Sequence, residues 1–294
     1  MSATDAAYRI SSFEDTYRIY ELAEAATDSV VRICPERGGI VIGCRLHGEE
    51  LLYLDRATFL DPKANIRGGV PVLFPICGQL VEGRYEWEGA VYSMRNHGVA
   101  RTAAWEVESQ RDDGEASLTL VLRSNDETRA AYPFDFELRF EYRLKDGKLA
   151  ILQTYANRSG RPMPVQAGFH PYFATGDGKK LVYRSDATQY LDYNDGAVKP
   201  FTGAIDLGGL KESVALLDAR TPTITFPLGD KGNVRLDYSR QFRTVVLWSV
   251  EGKPFICVEP WTAPNEALNR KEGLLMVEPG EELQLELAFS FAKN

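Results

Sequence analysis

Histidine is scarce. The chain has three in 294 residues, at positions 47, 97 and 170. No two are spaced like a zinc-ligand pair, so metal catalysis is not expected. Cysteine is also sparse, with Cys34, Cys44, Cys77 and Cys257 and no C-x-x-C pair. Each lies in an apolar or glycine-rich stretch and is expected to be a small reduced core residue; no disulfide framework is expected. No run approaches 18 continuous apolar residues, so no membrane span is expected. There is no basic run either, and the net charge is −8 with a pI near 5.1. Such a chain is poorly suited to gripping the phosphates of a long nucleic acid. The first residues, MSATDAAYRISSFEDTYRIYEL, contain neither a basic region nor an apolar one, so no secretory signal is expected. A soluble cytoplasmic protein is the expectation. Asn157-Arg158-Ser159 matches a glycosylation sequon, read without secretion as chance. Also missing are G-x-S-x-G, a phosphate-binding P-loop, G-x-G-x-x-G and H-E-x-x-H.

Helical patterning is thin as well, and the dominant signal has period two. Phe134, Phe136, Leu138, Phe140, Tyr142 and Leu144 alternate with Asp135, Glu137, Arg139, Glu141 and Arg143. Successive strand side chains face opposite ways, so this is a long antiparallel strand with one apolar face and one wet face. Lys145-Asp146-Gly147-Lys148 follows, and Asp-Gly favours a tight turn. Leu149, Ile151, Gln153 and Tyr155 then alternate again, completing a hairpin. Similar alternation marks Leu118–Leu122, Val234–Tyr238 and Leu283–Phe291. Val245–Trp248 and Phe255–Val258 are uniformly apolar and read as strands buried on both faces. Ser11–Ala26 fits a helix or a strand. Pro264–Leu268 suits a single helical turn with proline at its first position. About fifteen strands with almost no helix imply an all-β fold, a large antiparallel β-sandwich or barrel. No linker divides the chain, so residues 1–294 are expected to form one domain.

Several side chains lie in unusual surroundings. His170 sits in Gly168-Phe169-His170-Pro171-Tyr172-Phe173, where the following proline restricts its backbone. It reads as a proton donor or as a packed histidine with one satisfied hydrogen bond. His97, in Asn96-His97-Gly98-Val99-Ala100-Arg101, suits a loop at a strand end, either as a binding group or as a solvated side chain. His47 reads as a surface hairpin tip. Glu259 ends an apolar run before Pro260-Trp261. A carboxylate there is costly unless hydrogen-bonded or functional, and partial burial would suit it to general-base work; a salt bridge is the alternative. Trp261 offers an aromatic face for the C–H face of a sugar. Arg67, among two glycines and two prolines, is either a structural arginine or a forked donor for a hydroxyl, carboxylate or phosphate.

Taken together these segments resemble the aldose 1-epimerase (galactose mutarotase-like) family. The matching pieces are Arg67-Gly68-Gly69-Val70-Pro71 with Phe74-Pro75, Asn96–Arg101 with Trp105, Gly168–Phe173, and Cys257-Val258-Glu259-Pro260-Trp261-Thr262. They occur in the family's order, and the likeness runs from about Ile33 to Phe291. The forms R-G-G-x-P and H-G-x-A-R look closer to the hexose-6-phosphate mutarotase branch. The resemblance implies a β-supersandwich and acid–base opening of a sugar ring without a cofactor, on a small-molecule sugar or sugar phosphate. On the matching positions Glu259 would take the anomeric hydroxyl proton and His170 would protonate the ring oxygen. His97 and Arg67 would hold ring hydroxyls or polarise the ring oxygen, while Arg101, and less directly Arg95, would meet a phosphate. The Tyr-Asp-His-like segment of classical members is missing here, leaving Asp206 and Asp218 as loose counterparts. The alternative is a non-catalytic carbohydrate-binding protein on the same fold. A glycosidase would need a second carboxylate for Glu259, and Glu266 is the near one.

Overall fold

In the computed structural model, which describes residues 7–294, strands dominate and the α-helices are short. The first layer is a seven-stranded antiparallel sheet. Its strands run, from edge to edge, Thr223–Pro227, Gly232–Tyr238, Glu282–Lys293, Lys148–Asn157, Phe136–Lys145, Ala116–Arg123 and Glu106–Arg111. The expected hairpin sits at its centre, with Leu138 opposite Tyr155 and Lys145 opposite Lys148. Asp146 and Gly147 make the turn with φ of 51° and 66°, the left-handed values that a two-residue type I′ turn requires. Phe136, Leu138, Phe140, Tyr142 and Leu144 are buried, as their alternation demands.

The second layer centres on Thr244–Trp248 and Ile256–Trp261, with Gly168–Phe169, Tyr172–Phe173 and Val72–Leu73 alongside. The layers meet through aromatic contacts. Phe140 lies 6.1 Å from Phe169, Phe74 5.7 Å from Tyr155, and Phe173 6.2 Å from Phe289, centroid to centroid. Alternation in the second layer then decides where chemistry can go. Ile256 and Val258 join the main core between the sheets, whereas Cys257, Glu259 and Trp261 face the other side. Phe173 and Tyr172 divide in the same way. The outer face of this sheet is therefore where buried polar groups collect.

The ambiguous segment near the N-terminus resolves as two antiparallel strands, Tyr8–Glu14 and Arg18–Glu24, with Phe13 opposite Ile19. They belong to a five-stranded sheet with Ser29–Cys34, Ile40–Leu46 and Glu49–Glu50. Burial of Tyr20 and Leu22 in the core outweighs the helical propensity of the Glu- and Ala-rich sequence. The short helix near Pro264 begins later than expected, at Ala267–Arg270, because Glu266 is left-handed with φ of 62°. The described residues form 26 strands, more and shorter than the fifteen expected. All four cysteines are buried and free. His47 stands at a hairpin turn between Ile40–Leu46 and Glu49–Glu50. The Asn157 amide is buried and donates to the carbonyls of Arg161 at 2.7 Å and Val277 at 2.8 Å, so the sequon has a structural use. No helix among the described residues is long and apolar enough to cross a membrane.

Candidate active site

A pocket of about 350 Å³ opens on the outer face of the second layer. Arg67, His97, Arg101, His170, Glu259 and Trp261, the six side chains singled out from the sequence, all line it. A larger hollow of about 700 Å³ lies on the outward face of the seven-stranded sheet. Both of its arginines are paired with carboxylates, Arg139 2.8 Å from Glu108 and Arg111 3.2 Å from Glu141, and none of the six reaches it.

His170 and Glu259 meet on the pocket floor. The imidazole Nε2 lies 3.4 Å from Glu259 Oε1, and the two side chains are only 7% and 1% exposed. Several contacts hold His170 still. Its backbone N–H donates to the Pro71 carbonyl at 3.1 Å. Its ring stacks on Tyr172 at 4.7 Å with planes 10° apart, and Trp248 meets it edge-on at 5.8 Å. Its Nδ1 and the second oxygen of Glu259 are buried without a protein partner. Polar atoms in that condition are costly in a purely structural role.

His97 enters from a strained turn. Its own φ is 68° and that of Gly98 is 81°. A Cβ on Gly98 would fall 2.1 Å from the Phe74 carbonyl oxygen, so only glycine fits. The His97 backbone N–H donates to the Gly78 carbonyl at 3.0 Å, and its ring Nδ1 lies 2.5 Å from the Cys77 carbonyl oxygen. A carbonyl only accepts, so Nδ1 carries the proton and Nε2 keeps a free lone pair. The ring stands 5.3 Å from His170 and 6.5 Å from Trp261 between centroids. Arg101 is buried, donating from Nη2 to the Ile66 carbonyl at 2.7 Å. Arg67 is exposed and its guanidinium lies 5.7 Å from the Trp248 ring at the mouth. Arg95 is exposed and outside the pocket lining.

The electrostatics follow from this geometry. Burial pushes Glu259 well above the usual carboxylate range, while the positive charge of Arg101 and the Trp261 indole oppose it. Burial, then the neighbouring His97 and Arg101, pushes His170 well below an ordinary histidine. His97 still shows part of its ring to the pocket, but its packed surroundings and Arg101 push it down to about 3, so it is neutral at physiological pH. Burial thus disfavours charge on both members of the floor pair, which favours one proton between them.

Other lining residues carried weaker sequence signals. Asn65, Asn96 and Tyr172 lay inside the conspicuous motifs and Asn265 in the expected helical turn at Pro264–Leu268, whereas Lys211 and Glu212 come from a loop with no local pattern. The three acidic candidates away from Glu259 do not line the pocket. Asp206 accepts from the Gly208 N–H at 2.9 Å, Asp218 from the Thr188 N–H at 2.8 Å, and Glu266 pairs with Arg270 at 2.7 Å.

Residues 21–290 match the family model described as Aldose 1-epimerase. The chain belongs to the aldose 1-epimerase family. It is accordingly an isomerase acting on sugar anomers. The solved Slr1438 protein of Synechocystis sp. PCC 6803 is 35% identical and covers 98% of this chain and 100% of its own, with a TM-score of 0.91. The galactose 1-epimerase of Lactobacillus acidophilus NCFM shares the fold at 16% identity, over 98% of this chain and 99% of that one, with a TM-score of 0.76. Among curated relatives, Protein LacX, chromosomal, of Lactococcus lactis subsp. lactis is 28% identical over 68% of this chain and 76% of its own. A Cenchrus ciliaris protein named "Putative glucose-6-phosphate 1-epimerase" is 31% identical over 51% of this chain and 44% of its own.

Proposed function

We propose that this epimerase interconverts the α and β anomers of a hexose or hexose 6-phosphate with Glu259 and His170 as its proton-transfer pair. The observation that carries the reading is the 3.4 Å approach of His170 Nε2 to Glu259 Oε1 at the floor of a pocket of hexose scale. The two sugar oxygens that must exchange protons, the anomeric hydroxyl and the ring oxygen, are bonded to the same carbon. An acid and a base this close together suit that substrate.

The proton count closes. With the shared proton on His170, the Glu259 carboxylate accepts the proton of the anomeric hydroxyl, and the O–H electron pair becomes the second bond of the C1 aldehyde. The bond from C1 to the ring oxygen breaks, and that oxygen takes a proton from His170 Nε2. Rotation about C1–C2 then presents the other aldehyde face, and the steps reverse. No electron is gained or lost and no proton is consumed, so the scheme calls for no redox carrier. Arg101 opposes the burial of Glu259 and keeps its carboxylate form within reach. A positioned acid or base contributes roughly 10²–10⁴-fold.

His97, with its lone pair on Nε2, accepts from a sugar hydroxyl, and Trp261 packs against the ring. Arg67 and Lys211, exposed at the mouth, suit the phosphate of a 6-phosphorylated sugar, with Arg101 deeper at the reacting end. The pairing of a carboxylate with an imidazole, with Glu266 turned to Arg270, supports epimerisation over glycoside hydrolysis, which needs two carboxyls about 5–9.5 Å apart. We read the chain as a single domain working in the cytoplasm on a small-molecule sugar, with carbohydrate binding at this pocket. One apolar cluster running from Tyr20 to Phe291 supports the single domain. Saturation-transfer NMR of anomeric protons over free and phosphorylated hexoses tests the reading. Enzyme-dependent exchange in at least one sugar is expected, and its absence across the panel would overturn the assignment.

A further inference from the structure

The floor pair has a third neighbour with no part in the proton transfers. Cys257 stands two residues before Glu259 on the strand Ile256–Trp261, so both side chains leave the same face. His170 comes from a separate segment to meet them. One donor atom from each of His170, Cys257 and Glu259 lies within 4.8 Å of the other two, and all three residues are buried. Among the described residues this is the one group of three potential ligands so placed. Glu259 Oε2 is buried without a hydrogen-bond partner, so the carboxylate has an oxygen free to coordinate, and His170 Nε2 already faces that carboxylate.

We propose that this cluster is a site for a thiophilic divalent cation of the Zn²⁺ type, whose occupancy shuts the pocket to sugar. One nitrogen, one sulfur and one oxygen donor form a donor set that zinc accepts, and His170 and Glu259 both line the pocket from which an ion would enter. Zinc–ligand bonds run about 2.0–2.3 Å, so small side-chain rotations bring the donors onto the ion. Coordination displaces two protons to solvent, the thiol proton of Cys257 and the one shared by His170 and Glu259; nothing is oxidised or reduced. The ion and the sugar compete because the ion takes the His170 and Glu259 atoms that the reaction uses. That competition rests on the acid–base reading above, whereas the binding itself does not.

Equilibrium dialysis of the full chain against Zn²⁺ alone measures the binding. The expected result is one tight equivalent, weakened at least tenfold in Cys257→Ser, with Zn²⁺ slowing anomer exchange in the wild type and chelator restoring it. Cys257→Ser should keep its exchange rate while losing most of the zinc sensitivity. Co²⁺ in place of Zn²⁺ gives a reading on the unmodified chain, a sulfur-to-cobalt charge-transfer band in the near ultraviolet. No tight equivalent of zinc, unchanged affinity in a folded Cys257→Ser protein, or no cobalt band in the wild type would each overturn the site. A chain that binds zinc at Cys257 yet exchanges no anomers would instead count against the acid–base reading.

Discussion

His170 lies flat over Tyr172, ring centroids 4.7 Å apart and planes within 10°. The phenol ring fixes the imidazole plane, so rotation that would carry Nε2 away from Glu259 costs the stacking contact. Tyr172→Phe keeps a ring and should leave turnover close to wild type. Tyr172→Leu should lower kcat roughly 10- to 100-fold with a smaller change in KM, as expected when a catalytic group is held less well. A selective rise in KM would mean that Tyr172 binds sugar rather than positioning the imidazole.

Glu259→Gln should cut anomer exchange by roughly 10²–10⁴-fold, measured by polarimetry, while the fold persists. Its effect on stability should depend on pH. Burial raises the carboxyl above its unfolded value. Below the unfolded value both states hold the proton. Above it the unfolded chain releases the proton while the folded chain keeps it, so stability falls as pH rises between the two values. The amide of the variant does not titrate and adds no such slope. Thermal melts should therefore favour the variant more at pH 8 than at pH 4, and a constant difference would contradict a raised carboxyl.

The pH profile of kcat/KM should be bell-shaped with a broad neutral plateau, because the floor pair works with one proton. The acid limb reports a second proton on the pair and should fall below the ordinary histidine value of ~6.5, since burial opposes charge on His170. The alkaline limb reports loss of the shared proton and should lie above the ordinary carboxylate value, since burial opposes charge on Glu259. Both limbs belong to the pair rather than to either residue. Removal of the alkaline limb in Glu259→Gln would tie that limb to the pair.

The two arginines should separate by substrate. Arg67→Gln at the exposed mouth should weaken glucose 6-phosphate at least several-fold more than glucose. Arg101→Met should slow both sugars alike and move the alkaline limb upward, because its charge no longer lowers Glu259. A loss in Arg101→Met confined to the phosphorylated sugar would return the phosphate to Arg101.

Much of this was legible in the sequence because strands write their two faces in alternate residues. The hairpin of Phe136–Lys145 and Lys148–Asn157 is readable to its turn residues. The six pocket side chains were legible for a different reason: each sits in a glycine-, proline- or aromatic-rich context that a plain strand does not need. Long-range placement was less legible. Arg18–Glu24 has helical composition, and only its antiparallel partners Tyr8–Glu14 and Ser29–Cys34 decide its state. The depth of Arg101 follows from the Ile66 carbonyl, 35 residues earlier in the chain. Lys211 reaches the mouth from a loop with no local signature. The His170–Cys257–Glu259 group could not be seen as a ligand set, since spacing along the chain detects ligand pairs only within one segment.

The strand Ile256–Trp261 gives its even-numbered apolar side chains to the interior and its odd-numbered ones to the pocket side. Inserting or deleting one residue ahead of Glu259 would swap these destinations, driving a carboxylate into the oily layer and turning Val258 toward the pocket. Chemistry and folding are thereby ruled by the same parity, so a register slip along this strand disturbs both at once.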